Sequence, residues 1–259
     1  MANVRHLLEI AKSAALDAGK AIMEIYRSGE FEEDVKQGEF PLTRADKRSH
    51  TIIIGHLGKS NLPVLSEEGA NIDFEERKSW EYFWLVDPLD GTKEFINKND
   101  EFTINIALVH RNTPIAGVIY VPCTDTLYWG SKETGVYKNE KGQLIQFSPL
   151  VERNQFDELF RREHITVIAS RSHMSVETKA FINRFPNVTL TSLGSSLKFM
   201  LLLENRADIY PRLGTTMEWD TAAAHAILNA SNRGVYREDM KTELTYNKRD
   251  LNNPFFIAF

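Results

Sequence analysis

The chain has 259 residues and a net charge of −5, long enough to bury a large core and too acidic to present a broad basic face to nucleic acid or a membrane surface. An anionic ligand must therefore be met by local cations or a metal. The single cysteine, Cys123, excludes an internal disulfide and a cysteine-rich zinc site. It reads as a small packing residue in a reducing cytoplasm. No apolar run reaches membrane-spanning length and the N-terminal stretch lacks a signal-peptide core, so a cytoplasmic location is expected.

Apolar residues at three- and four-residue steps from Val4 to Ile25 predict an amphipathic helix ending near Tyr26. The charged stretch 30–40 carries Gly38 and no periodicity, and reads as a loop or irregular hairpin. Thr43 suits an N-cap, with Asp46 three residues on and Ile52, Ile53, Ile54 and Leu57 along the helix that follows. Residues 62–65 read as a short strand ending at Ser66-Glu67-Glu68-Gly69. Residues 84–86 read as a buried strand with Asp87 at its end, where Pro88 is expected to stop pairing and turn the chain. A short helix at 92–97 and strands at 103–110, 115–121, 127–130 and 136–138 follow. Beyond residue 150 the pattern alternates: strand 165–169, helix 175–184, strand 188–193, helix 196–204, strand 208–210, helix 220–230, strand 234–236. The expected organisation is an α+β half (1–150) and an α/β half (151–259), joined near 152–162 without a Pro/Gly/Ser linker into one rigid unit.

Asp87 and Asp90 follow an apolar strand and precede a Gly-Thr step. A solvated turn explains Asp-Gly by itself. A site for a hard divalent cation explains why both acids follow a buried strand, since Mg²⁺ takes oxygen ligands and leaves room for phosphate oxygens. Asp46, Glu67 and Asp220 also stand where strands end or helices begin, the edge at which α/β architectures bind ligands. For Asp46 and Asp220 the plain alternative is a first-turn acid on the helix dipole. Five clustered carboxylates repel unless neutralised, and two or three Mg²⁺ ions do that while leaving positions for a phosphate. Ions roughly 3.5–4 Å apart support in-line hydrolysis of a phosphomonoester. Gly91 and Thr92 offer N–H groups to phosphate oxygens; the Thr92 hydroxyl would position the attacking water and Asp46 would accept the proton.

Asp87-Pro-Leu-Asp-Gly-Thr92 and Trp219-Asp-Thr-Ala-Ala223 carry the next step, with Thr43-Arg-Ala-Asp46, Leu65-Ser-Glu-Glu-Gly69, Ala169-Ser-Arg-Ser-His173, Gly194-Ser-Ser-Leu-Lys-Phe199 and Tyr210-Pro-Arg212. In these motifs, which span nearly the whole chain in order, the sequence resembles the lithium-sensitive, Mg²⁺-dependent inositol monophosphatase superfamily. The resemblance implies a five-layer αβαβα sandwich of the sugar-phosphatase type, joining the α+β and α/β halves. It implies Glu67, Asp87, the Leu89 carbonyl, Asp90 and Asp220 as Mg²⁺ ligands. Asp46 and Thr92 would activate water, with Glu67 serving the catalytic group as well, and Glu68 would only support its neighbour.

Lys93-Glu94-Phe95 after Gly-Thr is similar to the bisphosphate nucleotidase branch of the superfamily. That branch implies hydrolysis of the 3'-phosphate of 3'-phosphoadenosine 5'-phosphate (PAP) to AMP and phosphate, with the phosphosulfate PAPS as a further substrate. An inositol or sugar phosphatase on the same fold is the nearest alternative. A non-catalytic nucleotide or metal sensor is another, and the presence of both Asp46 and Thr92 speaks against it. Expected substrate contacts are Glu67, Leu89, Asp90, Gly91, Thr92, Lys93, Ser170, Ser195 and Asp220. Arg171, His173, Lys198 and Arg212 would hold the phosphate that is not cleaved. For each cation the alternative is a surface charge, and for His173 a helix cap. Gly38 and Phe40 replace polar residues the family often carries, which is expected to weaken a third metal. The expected partner is the small nucleotide, with no nucleic acid and no integral membrane segment, for a monomer or dimer. Peripheral association with an inner membrane stays open.

Overall fold

Apolar residues at helical spacing bury one stripe of α1 (Val4–Ser28), whose first turn is capped by the Asn3 side chain. The structure, a computed structural model, describes residues 3–29, 31, 34–35, 41–151, 156–169 and 174–259, with 34–35 and 41–42 described through their backbone. β1 (Asp34–Val35) pairs antiparallel with β2 (Pro41–Leu42), in the segment read as an irregular hairpin. Gly38 and Phe40 lie outside the described residues, as does the start of the expected boundary near 152–162. In α2 (Arg44–Leu57), Thr43 and Asp46 cap each other reciprocally.

Seven strands then form one sheet in sequence order: β3 (Val64–Ser66), β4 (Tyr82–Asp90), β5 (Thr103–His110), β6 (Thr113–Val121), β7 (Thr126–Ser131), β8 (Gly135–Glu140) and β9 (Gln143–Phe147). Short helices α3 (Phe74–Arg77) and α4 (Thr92–Ile96) flank β4. β3 runs parallel to β4, and every later pair in this sheet is antiparallel. Side chains alternate across the strands and so feed two cores. Trp84, Val86, Ile104, Ile106 and Val118 pack with α1 and α2; Phe83, Leu85, Ala107, Val109 and Ile119 face the opposite way.

The remaining elements are α5 (Phe156–Leu159), β10 (Ile165–Ile168), α6 (Val176–Ile182), β11 (Val188–Thr191), α7 (Leu197–Leu203), β12 (Tyr210–Arg212), α8 (Glu218–Ala230), β13 (Val235–Arg237) and β14 (Phe256–Ala258). Helices α7 and α8 share one core with the inner face of the seven-stranded sheet and with Tyr210 and Phe256 of β12 and β14. On the far side of those strands, Val167, Ile209 and Ile257 pack with Phe156 and Phe181 of α5 and α6. The layers are helices, sheet, helices, sheet, helices, the expected five-layer αβαβα sandwich.

Several details differ from the sequence reading. The C-terminal half, read only as alternating strands and helices, mixes strand directions: β10 and β11 pair parallel, whereas β14 lies antiparallel between β12 and β13. β14 and β9 were not anticipated. The first is an apolar run too short to show a period, and the second is an edge strand whose alternation is hidden by exposure of Leu144 and Ile145. β12 begins at Tyr210 rather than at 208; the two residues before it bond to β10 instead, the Asp208 N–H donating to the Thr166 carbonyl at 2.8 Å and the Ile209 carbonyl accepting the Ile168 N–H at 2.9 Å.

At Gly117, β6 and α8 meet backbone to backbone: a Cβ there would stand 2.1 Å from the Ala223 carbonyl oxygen. Gly117→Ala must push the helix off the sheet, and a loss of about 3 kcal/mol is expected, the upper range for an overpacked core. Thermal unfolding of the variant measures it; an unchanged midpoint would contradict the contact.

Candidate active site

Parallel pairing ends β3 and β4 at the same edge. The Glu67 N–H donates to the Val86 carbonyl at 3.1 Å, which sets Glu67 beside Asp87. Pro88 does not stop the strand as expected. Asp87 pairs with Asn105 and Asp90 with Thr103, so β4 uses one residue more than β5 over this span, and Pro88 sits inside a β-bulge that asks no N–H of it. Within the bulge Asp87 Oδ1 accepts the Leu89 N–H at 3.0 Å. The Ser49 hydroxyl donates to the Pro88 carbonyl at 2.7 Å and ties α2 to the same bend.

Gly91 turns the chain into α4 with φ at 92°, and a Cβ there would come within 3.2 Å of the Glu101 carbonyl oxygen. Thr92 then places its hydroxyl 3.2 Å from Asp46 Oδ1 and 3.4 Å from the Leu89 carbonyl. Asp46 is buried, and its Oδ2 accepts the Thr43 N–H at 2.8 Å and hydroxyl at 2.6 Å. One Asp46 carboxylate oxygen thus caps α2 and the other accepts the Thr92 hydroxyl.

Asp220, the third residue of α8, accepts the Met217 N–H at 2.9 Å. Asp90 Oδ2 accepts from Asn105 Nδ2 at 3.2 Å and from the Ser196 hydroxyl at 2.8 Å. Neither Asn105 nor Ser196 was singled out from sequence. An asparagine within an apolar strand run, Thr103-Ile-Asn-Ile-Ala, was the available signal, since a buried amide needs partners.

Burial pushes the Asp87 carboxyl well above the usual carboxylate range, and the charges of Glu67, Asp90, Asp220 and Asp46 add to it. Burial also raises Asp220 well above that range, reinforced by Asp90 and Glu67 and opposed by the Met217 N–H and Arg212. An all-oxygen donor set that repels itself this strongly fits a hard divalent cation. Among the described residues no three acidic, histidine or cysteine side chains converge into a ready-made ligand group. Mg²⁺ does not require one, because it keeps several waters and is held by one or two carboxylates together with substrate oxygens.

These shifts carry a prediction. A carboxyl whose folded-state pKa is raised favours folding below the ordinary aspartate value of about 3.9 and loses that contribution as pH rises through its folded-state value. Metal-free protein should therefore lose thermal stability as pH is raised from mildly acidic to neutral, and Mg²⁺ should restore more of it at the higher pH. Melting curves with EDTA and with Mg²⁺ across that interval test this; a Mg²⁺ effect independent of pH would count against it.

A cavity of about 1000 Å³ joins these groups. Glu67, Asp87, Leu89, Asp90, Thr92 and Asp220 line it together with Ser195, Lys198, Tyr210, Arg212 and Trp219. Asp46 stands behind Thr92, Lys93 is exposed at the rim, and Glu68 is not in the lining. Ser195 adopts φ 44° and its hydroxyl is buried without a partner among the described residues, as is Arg212 Nε, while Arg212 Nη2 donates to the Thr215 carbonyl at 3.2 Å. Lys198 Nζ donates to the Ser195 carbonyl at 3.2 Å. Ser170, Arg171 and His173 lie outside the described residues.

Comparison with known proteins agrees with this geometry. The chain is 41% identical over 254 residues to the 3'(2'),5'-bisphosphate nucleotidase CysQ of Salmonella typhimurium, covering 96% of this chain and 98% of that protein. The crystal structure of CysQ from Bacteroides thetaiotaomicron, described as a bacterial member of the inositol monophosphatase family, matches with a TM-score of 0.81 and 42% identity over 96% of this chain and 95% of that one. A staphylococcal inositol monophosphatase-1 in a LiCl-soaked inhibitory complex shares the fold, with a TM-score of 0.77 at 17% identity over 100% of this chain and 91% of that one. With the inositol monophosphatase family profile matching residues 3–254, the chain belongs to the inositol monophosphatase family.

Proposed function

We propose that this enzyme hydrolyses the 3'-phosphate of PAP to AMP and phosphate and also acts on PAPS. Its family makes it a Mg²⁺-dependent phosphatase acting on a small phosphorylated molecule. The observation that carries the narrower reading is a single cavity lined both by the carboxylates and by Lys198 and Arg212. A doubly phosphorylated nucleotide needs both: a site for the phosphate that is cleaved and cations for the one that is kept. Among the described residues no helix is long and apolar enough to cross a membrane.

Glu67, Asp87, the Leu89 carbonyl, Asp90 and Asp220 would hold two or three Mg²⁺ ions. Bound Mg²⁺ supplies Lewis acidity, easing deprotonation of water and offsetting the charge of the phosphate. The residues supply the rest. The Thr92 hydroxyl gives its proton to Asp46 and takes one from the attacking water, whose oxygen forms the new bond to phosphorus as the bond to the ribose 3'-oxygen breaks. Asp46 suits the task because Thr43 already holds its other oxygen, so the carboxylate needs no reorientation during reaction. The leaving oxygen takes up a proton to give the 3'-hydroxyl of AMP. Ser195, Lys198 and Arg212 orient the nucleotide, with Lys93 at the entrance.

Phosphate release from PAP, inositol 1-phosphate and fructose 1,6-bisphosphate, each with Mg²⁺, Mg²⁺ plus Li⁺, and EDTA, tests the proposal. Preference for PAP that Li⁺ inhibits and EDTA abolishes is expected. Preference for a sugar phosphate would discard the roles given to Lys198 and Arg212, and no turnover on any of the three would favour a sensor.

A further inference from the structure

We infer that Ser196 and Asn105 are positioning residues that fix the aim of Asp90 before a cation binds, an inference that rests on reading the carboxylate cluster as a Mg²⁺ site. Ser196 stands at the N-cap of α7, yet its side chain makes no capping hydrogen bond to that helix. It is 1% exposed, and its hydroxyl instead lies 2.8 Å from Asp90 Oδ2 and 2.9 Å from the Asp220 carbonyl, while accepting from Asn105 Nδ2 at 2.8 Å. The one hydroxyl proton serves the carboxylate or the carbonyl, so the same oxygen links β4, β5, α7 and α8. The Asn105 amide also donates to Asp90 Oδ2 at 3.2 Å, and the Thr103 hydroxyl at 3.0 Å from its oxygen fixes which way it faces.

Asp90 Oδ2 is thus engaged by two buried donors, and Oδ1 is the oxygen left to meet a ligand. A carboxylate held this way binds without first losing rotamer freedom, and removing such an outer partner typically weakens metal affinity about 10- to 100-fold. A serine kept for helix stability would bond within α7; this one bonds into the carboxylate cluster from the element that carries Lys198.

The test is direct Mn²⁺ binding to the full chain, followed by the electron paramagnetic resonance signal of free Mn²⁺. Ser196→Ala should bind about 10-fold more weakly. Its melting midpoint in EDTA should stay near wild type, and kcat at saturating Mg²⁺ should largely recover. Equal Mn²⁺ affinity in variant and wild type would overturn the inference while leaving the metal site intact. Failure of the wild type to bind Mn²⁺ would instead overturn the metal reading beneath it. Should Ser196→Ala prove unfolded in EDTA, Asn105→Ser takes its place, with unchanged affinity again the overturning result.

Discussion

Asp87→Asn is expected to abolish turnover, with kcat reduced at least about 10³-fold. The estimate follows from losing about 4 kcal/mol of transition-state stabilisation, the several kcal/mol a divalent cation provides, at about 1.4 kcal/mol per factor of ten. Asp87 is almost fully buried and every acid whose charge raises its pKa belongs to the proposed ligand set or to the Thr92 relay. An amide has the shape of a protonated carboxyl, the form that burial favours at Asp87, so the variant should fold. Its melting midpoint in EDTA should match or exceed wild type, whereas the stabilisation by Mg²⁺ should disappear. Phosphate release and melting with and without Mg²⁺ measure both halves, and wild-type-like activity would sink the ligand assignment.

Thr92→Ala should separate proton transfer from metal binding. Loss of the hydroxyl removes the relay to Asp46 at 3.2 Å and leaves the carboxylates in place, so kcat should fall about 10²- to 10⁴-fold, the usual contribution of a positioned acid–base group. Mg²⁺ affinity, followed by calorimetry, should change little. A parallel collapse of metal affinity would show that Thr92 serves the cation rather than the water.

The carboxylates were legible because each follows a strong local pattern. Asp87 ends an apolar strand run, Asp46 sits three residues after an N-cap threonine, and Asp220 opens an alanine-rich helix. The family motifs then supplied the layer order, which residue periodicity does not dictate. The groups that hold the site together were not legible, since Asn105, Ser49 and Ser196 act through partners 15, 39 and 106 residues away. Pro88 misled for a related reason. A proline normally argues against continued pairing, but a bulge removes the need for its N–H, and a bulge is visible only once the register against β5 is known. The antiparallel arrangement of the last strands was hidden because β14 is a three-residue apolar segment whose place between β12 and β13 depends on non-local pairing.

Gly117 bears on more than the stability of the core. Its missing side chain lets α8 lie directly on β6, and Ala223, the residue it touches, is one turn beyond Asp220 on that helix. The depth of that seat therefore gauges how far Asp220 stands from the acids of β4. A side chain at position 117 would push α8 outward and widen the gap between Asp220 and Asp90, which the Ser196 hydroxyl now bridges, so a change in core packing would be read out at the proposed cation site.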